Sequence, residues 1–390
     1  MRRKLLTFFG IITGMGCLVT VLQLIHYLFS EFLYRKDFPQ FYLMGHALRE
    51  GANLYAPLHD LAAKFDPQMT DWIKVSAYPP IVAVIGLPFS YLPYFWSTVS
   101  WMIFELGCLV AAVVLIVRHF GGRSAGTPVL VVVCVFINWR PIFLELYQGQ
   151  LMIPILLLLT LCWLALKAGK DVKAGILLGI VISIKLYAWP LALFLLIRGR
   201  WRAPVAAFVV FIAANALMVG WVGSSTVMDY YFRVGRSVLE AYKLDPYNFS
   251  AWCVGLRSLG LAGAVIMSAS VLLWSLFLAL RSKDFDSGFM IMLAAATILQ
   301  PISWVHYLVT LLPAFCLIAD RREFRTSDVV LSGVLILLIL FGFHDLAYTY
   351  PAIVTWPPFV FIIGLMWVIV PKSVPESAVI SRFARARETA

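Results

Sequence analysis

The stretch that decides the fold runs from Met1-Arg2-Arg3-Lys4, through about 25 mostly apolar residues, to Arg35-Lys36-Asp37-Phe38-Pro39-Gln40-Phe41-Tyr42. An apolar run of that length crosses a bilayer, where only a helix satisfies its own backbone polar groups. It imitates a secretory leader, but its apolar part is too long for one. Gly14-Met15-Gly16-Cys17 also lacks the aliphatic residue expected three places before a lipidated cysteine. It reads as an uncleaved first span. The octet Arg35 to Tyr42 therefore begins where lipid ends. It sets a carboxylate, Asp37, beside two cations and several rings at a membrane surface.

The same pattern recurs along the chain. Of 390 residues, 62% are hydrophobic and 13% charged, and the mean hydropathy is +0.89, which excludes a soluble domain. Apolar runs fall at roughly 5–30, 95–118, 127–143, 150–167, 173–197 (broken), 203–222, 258–281, 287–300, 303–319, 328–345 and 352–370. A shorter run, 79–93, is bounded by prolines and either crosses obliquely with its neighbour or re-enters. The expectation is an all-α polytopic membrane protein with about 11–13 transmembrane helices. It forms a single integral-membrane domain over 1–371.

The net charge of +11 sits in short clusters between apolar runs, the signature of cytoplasmic loops rather than of nucleic-acid binding. Placing Arg2-Arg3-Lys4, Arg118 with Arg123, Lys167-Lys170-Lys173, Arg198-Arg200-Arg202, Arg281-Lys283 and Arg321-Arg322-Arg325 inside puts the N-terminus in the cytoplasm. The two long polar segments, 31–78 and 222–257, then fall together outside. The tail 372–390, with Arg382, Arg385 and Arg387, reads as a cytoplasmic anchor to anionic lipid. The six cysteines show no CxxC or metal spacing, so neither a disulfide framework nor zinc is expected.

Within 31–78, Phe38, Phe41, Tyr42, Ala47 and Leu48 recur at helical spacing, which predicts an interfacial helix. No Gly-x-Gly-x-x-Gly follows a strand and no Walker lysine occurs, so no nucleotide-using soluble domain is present. Polar residues interrupt the apolar runs at Asp37, Tyr78-Pro79-Pro80, Tyr147-Gln148-Gly149-Gln150, Lys185 with Tyr187, Tyr247-Asn248-Phe249-Ser250, Arg257, and Pro301-Ile302-Ser303-Trp304-Val305-His306-Tyr307. On the orientation above all share the outer face. Ionisable groups are costly there, so their convergence is a site hypothesis.

The ordered set Asp37-Phe38…Tyr42, Gly45-x-Ala47-Leu48-x-x-Gly51-x-x-Leu54-Tyr55, Tyr78-Pro79-Pro80, Leu92-Pro93, Gly149-Gln150, Lys185, Asn248-x-Ser250 and Ser303-Trp304-x-His306-Tyr307 resembles glycosyltransferase family 87, from about residue 30 to 320. Met152 stands where that family often has an asparagine, and Pro190 lies further from Lys185 than is usual. The resemblance implies a GT-C-type fold and transfer of a hexose, mannose in the best-known case, from a polyprenyl-phosphate sugar to a glycolipid or glycan acceptor at the extracytoplasmic face of the cell membrane.

Such a donor carries its own leaving group. The enzyme needs a carboxylate to take the acceptor's proton, and cations or donors for the departing phosphate. Asp37 suits the first role; its rival reading is an N-cap ahead of Pro39. Lys185 and His306, with Arg257, suit the second. Gln150, Asn248 and Ser303 suit the donor's sugar, and Tyr42, Tyr78, Trp304 and Tyr307 suit stacking on acceptor or sugar.

The bland alternatives are a snorkelling lysine, helix-to-helix hydrogen bonds for His306 and the glutamines, a headgroup anchor for Arg257 and belt aromatics for Trp304 and Tyr307. Glu31, Glu145 and Asp345 compete for the base, and Glu105 reads as structural. One base without a paired carboxylate predicts inversion. No cofactor is implied, although Asp37 with Glu31 leaves a divalent cation open. A flippase or transporter of lipid-linked sugars is the alternative reading.

Overall fold

The computed structural model describes residues 11, 14–16, 18–26, 29, 37–65, 76–121, 126–282, 284–321 and 351–370. The expected span 328–345, the tail 372–390, Glu31 and Asp345 lie outside the described residues. Among the described residues all regular structure is helical, which is the all-α polytopic membrane architecture read from the sequence.

Among the described residues three helices are long and apolar enough to cross a bilayer individually: Tyr94–Phe120, Arg202–Val222 and Ala251–Arg281. Arg140–Gln148 and Met152–Lys167 pass the same test together, bent by 116° at the break between them. Other described apolar segments form shorter helices, among them Leu186–Ile197, Phe285–Leu299, Val305–Asp320 and Trp356–Ile369. The helices stop where polar residues intervene, as the sequence indicated for the broken run 173–197. That run is divided at Lys185 into Asp171–Ile184 and, after a short 3-10 turn, Trp189–Ile197.

We label α1 Phe38–Arg49, α2 Leu58–Phe65, α3 Val82–Gly86, α4 Tyr94–Gly121, α5 Gly126–Ile137, α6 Arg140–Gln148, α7 Met152–Lys167 and α8 Asp171–Ile184. Helix Phe285–Leu299 lies in the interior, buried from Asp286 through Ile298. Its small residues, Gly288 and Ala294 to Ala296, admit neighbours closely. The helix Arg202–Val222 is the opposite case: Phe208, Val209, Ile212, Leu217 and Trp221 are all exposed, as fits a surface covered by lipid.

The segment 38–65 departs from a simple interfacial helix. Helix α1 is buried on every face from Phe38 to Leu48. It crosses α3 where Gly45 meets Gly86, and a Cβ on either would overlap backbone of the other helix. The amphipathic element is α2, which buries only Leu58, Leu61 and Ala62. Phe38 itself packs against Trp101 and Tyr94 at ring-centroid distances of 5.5 and 6.0 Å. These contacts fix the start of α1, and with it Asp37.

At one end of the bundle the cations are held by acids and carbonyls. Lys167 pairs with Asp286, Arg200 with Asp171, and Arg198 donates to the Ala279 and Ser282 carbonyls.

Candidate active site

Four chain breaks converge at the other end of α7 and α8. The first is the start of α1. Asp37 occupies the N-cap position, yet its side chain makes no capping bond to its own helix. Instead its Oδ1 accepts from Gln40 Nε2 at 2.9 Å, and its backbone N–H donates to the Gln148 carbonyl at 3.2 Å. The capping reading thus loses its expected hydrogen bond. Asp37 is half-buried among residues that are mostly closed off.

The second break is Tyr78-Pro79-Pro80. The Tyr78 phenol is buried and donates to Gln150 Oε1 at 2.8 Å. Burial pushes its pKa well up, and the neighbouring Asp37, Tyr307 and Glu145 push it further, so it stays a neutral donor. Beside it the Ala77 N–H donates to Gln40 Oε1 at 3.0 Å.

The third break separates α6 from α7. Gly149 takes a left-handed conformation, φ 64 and ψ 47, which a glycine adopts without Cβ strain. Glu145 is fully buried, and its Oε1 accepts from the Met152 and Ile153 amides, the latter at 3.0 Å. An acid side chain there accepts from two otherwise orphaned donors at the start of α7.

The fourth break follows α8. Lys185 is extended, φ −153 and ψ 118, and so leaves the helix and turns inward. Its Nζ lies 3.9 Å from the Tyr307 ring centroid, 6.0 Å from that of Tyr78, and 3.7 Å from Met152 Sδ. Glu145 and Asp37 are both close enough to act on it electrostatically, yet among the described residues it forms no ion pair. His306 is buried next to Tyr307, with ring centroids 4.8 Å apart, and its Nε2 has no partner among the described residues.

The structure therefore gathers Asp37, Tyr78, Gln150, Lys185, His306 and Tyr307. The remaining residues singled out from the sequence lie in local networks of their own. Asn248 Oδ1 accepts from the Ser250 and Ser303 amides and its Nδ2 donates to the Tyr242 and Pro301 carbonyls, which ties loop 245–250 to loop 300–304. Ser303 Oγ donates to the Thr297 carbonyl. Arg257 clamps the Leu244 and Asp245 carbonyls at 2.9 and 2.8 Å. Trp304 meets Tyr242 edge-on, and Tyr42 is buried with its phenol on the Leu92 carbonyl at 3.2 Å.

Two contributors escaped the sequence reading of the site. Gln40 lies one helical turn beyond Asp37, a spacing that puts both on one face. Glu145 was legible only as a rival acid; that it caps α7 depends on the bend.

Residues 77–252 match the profile of glycosyltransferase family 87. The chain is 26% identical over 301 residues to a polyprenol-phosphate-mannose-dependent alpha-(1-2)-phosphatidylinositol pentamannoside mannosyltransferase of Mycobacterium tuberculosis (strain CDC 1551 / Oshkosh), covering 73% of this chain and 68% of that one. It is 25% identical over 258 residues to a protein of the same description from Mycolicibacterium smegmatis (strain ATCC 700084 / mc(2)155), covering 63% and 61%. A third relative, a polyprenol-phosphate-mannose-dependent alpha-(1-2)-phosphatidylinositol mannoside mannosyltransferase of Mycobacterium tuberculosis (strain ATCC 25618 / H37Rv), is 23% identical over 287 residues, covering 67% and 66%. The chain thus spans about two thirds of the length of these relatives, and less than that of the second and third. No solved structure matches. The family match takes in Tyr78, Gln150 and Lys185 of the gathered cluster, and Glu145 beside them, so the stretch that resembles glycosyltransferase family 87 is also the stretch that supplies much of the site.

Proposed function

We propose that the protein transfers a hexose, mannose on the likeness to its relatives, from a polyprenyl-phosphate donor to a hydroxyl of a membrane glycolipid or glycan. The observation that carries this reading is Lys185. Its half-buried ammonium is boxed by two rings and a thioether, with no carboxylate paired to it among the described residues. A cation held in that way is available to an incoming anion.

Asp37 takes the proton of the acceptor hydroxyl as its oxygen attacks the anomeric carbon. The bond from that carbon to the phosphate oxygen breaks, and the polyprenyl phosphate leaves with the electron pair. Lys185, with His306 beside it, meets the developing negative charge. Gln150, whose Oε1 is occupied by Tyr78, keeps its amide N–H groups for a sugar hydroxyl or phosphate oxygen. Glu145 is engaged as the α7 cap, so one displacement by one base supports inversion. The reading assigns no cofactor.

The orientation follows from the basic end. Helix α7 runs from Met152 at the site to Lys167, and α8 returns from Asp171 to the site. At 1.5 Å per residue the two ends are roughly 24 Å apart. With the cations inside, the site faces the extracytoplasmic side.

The test is incubation of purified protein with radiolabelled polyprenyl-phosphate sugars and a membrane-lipid extract, wild type beside Asp37→Asn. Loss of a general base is expected to lower transfer by about 10²–10⁴-fold in a protein that still folds. Transfer that survives the substitution removes Asp37 from the mechanism. A protein that moves the lipid-linked sugar without transferring it is a flippase.

A further inference from the structure

The base reading of Asp37 leaves open what keeps its carboxylate off its own helix. An aspartate at an N-cap ordinarily turns onto the first-turn amides. Here it does not, and among the described residues the Gln40 side chain engages it. The Gln40 amide works in two directions. Its Oε1 accepts from the Ala77 backbone N–H at 3.0 Å, and its Nε2 donates to Asp37 Oδ1 at 2.9 Å. Because a backbone N–H can only donate, the Ala77 bond fixes which end of the amide faces Asp37. Gln40 is itself buried, 9% exposed, so the arrangement is held rather than solvated.

We propose that Gln40 is a positioning residue for the transfer reaction, aiming the Asp37 carboxylate and setting its basicity by tying it to the loop that carries Tyr78. The proposal rests on Asp37 being the base. From Asp37 the connection runs through Gln40 to Ala77, along the chain to Tyr78, and from its phenol to Gln150. One side chain thus registers the start of α1 against the loop whose tyrosine lies under Lys185. A neutral amide donor suits this role, because a hydrogen bond from a fixed amide orients a carboxylate by direction. A donor on an ionised oxygen favours the ionised form, so removing it or replacing it by a like charge disfavours that form.

Two substitutions separate the parts of this role. Gln40→Glu keeps an oxygen for the Ala77 N–H and so preserves the tie to the loop, but it replaces the donor facing Asp37 with a like charge. Gln40→Ala removes both. The measurement is the pH dependence of kcat in the radiolabelled-transfer assay, with Asp37→Asn alongside and thermal melting in detergent as the check on folding. The expected result is a displacement of the acidic limb to higher pH, by about one unit for Gln40→Ala and more for Gln40→Glu. The KM for the donor should change little, because the donor phosphate is met by other residues.

If Gln40→Glu melts like wild type and its acidic limb does not move, Gln40 is packing only and the proposal is overturned. If Gln40→Ala fails to fold, Gln40→Glu alone decides. If Asp37→Asn retains turnover, it is the base assignment that fails, and the two failures are distinct.

Discussion

Lys185 shows how much a single residue can mean once its neighbours are known. In the sequence it is one lysine in an apolar run, equally readable as a snorkelling side chain. In the structure it leaves α8 in an extended conformation and sets its ammonium against two rings. A cation–π contact is worth on the order of 1 kcal/mol, much less than an unpaired ammonium loses on desolvation, so stability alone does not account for it. Lys185→Met is expected to lower kcat/KM by about 10²–10³-fold with the fold retained, as the loss of one preorganised group facing developing charge does elsewhere. Lys185→Arg should recover only part of the rate, since the wider guanidinium does not fit the same box. Transfer rates for the two variants at several donor concentrations check this. Glu145 makes the converse point: an acid plausible as a base becomes, with one oxygen on two α7 amides, part of the frame.

Among the helices, the position of Asp37 depends on the crossing of α1 with α3. A Cβ on Gly86 would meet the Phe41 carbonyl, and one on Gly45 would meet the Gly86 carbonyl group. Neither glycine has a positive φ, so the requirement is space and not backbone freedom. Gly86→Ala is expected to cost about 1–3 kcal/mol, as overpacking does, and to lower the melting temperature in detergent by several degrees. Because α1 carries Asp37, transfer should fall as well, and further than the fraction of unfolded protein explains. Gly86→Ala with a wild-type melting temperature would show that the helices can part without harm. Gly45 stood in the sequence pattern as a mere spacing; its partner, over forty residues away, supplies the reason.

For the whole molecule the two ends of α7 and α8 define the polarity of the bundle. Cysteine substitutions at exposed positions, Asp60→Cys on α2 and Lys170→Cys between α7 and α8, report it directly. A membrane-impermeant maleimide applied to intact cells should label the first and reach the second only after permeabilisation. The reverse pattern would put the site in the cytoplasm and overturn the orientation drawn from the basic loops. The broad exposed apolar surface of Arg202–Val222 belongs to the same scale, since it marks a face turned to lipid.

What the sequence determined by itself is the solvent. Apolar runs of spanning length make the protein helical and membrane-embedded whatever their order, because backbone groups in lipid must pair locally. It also marked the breaks, since Asp37, Tyr78, Gln150, Lys185 and His306 are polar where polarity is costly. The tertiary structure decided which breaks meet. Asn248, Ser303 and Arg257 carry the same polar signature, yet the bonds described for them close on backbone carbonyls and amides that brace loops, whereas Lys185 faces the rings of Tyr78 and Tyr307. Hydropathy records the cost of placing one side chain in lipid. Whether a second side chain arrives to share that cost depends on how bent helices pack, and no local pattern encodes it.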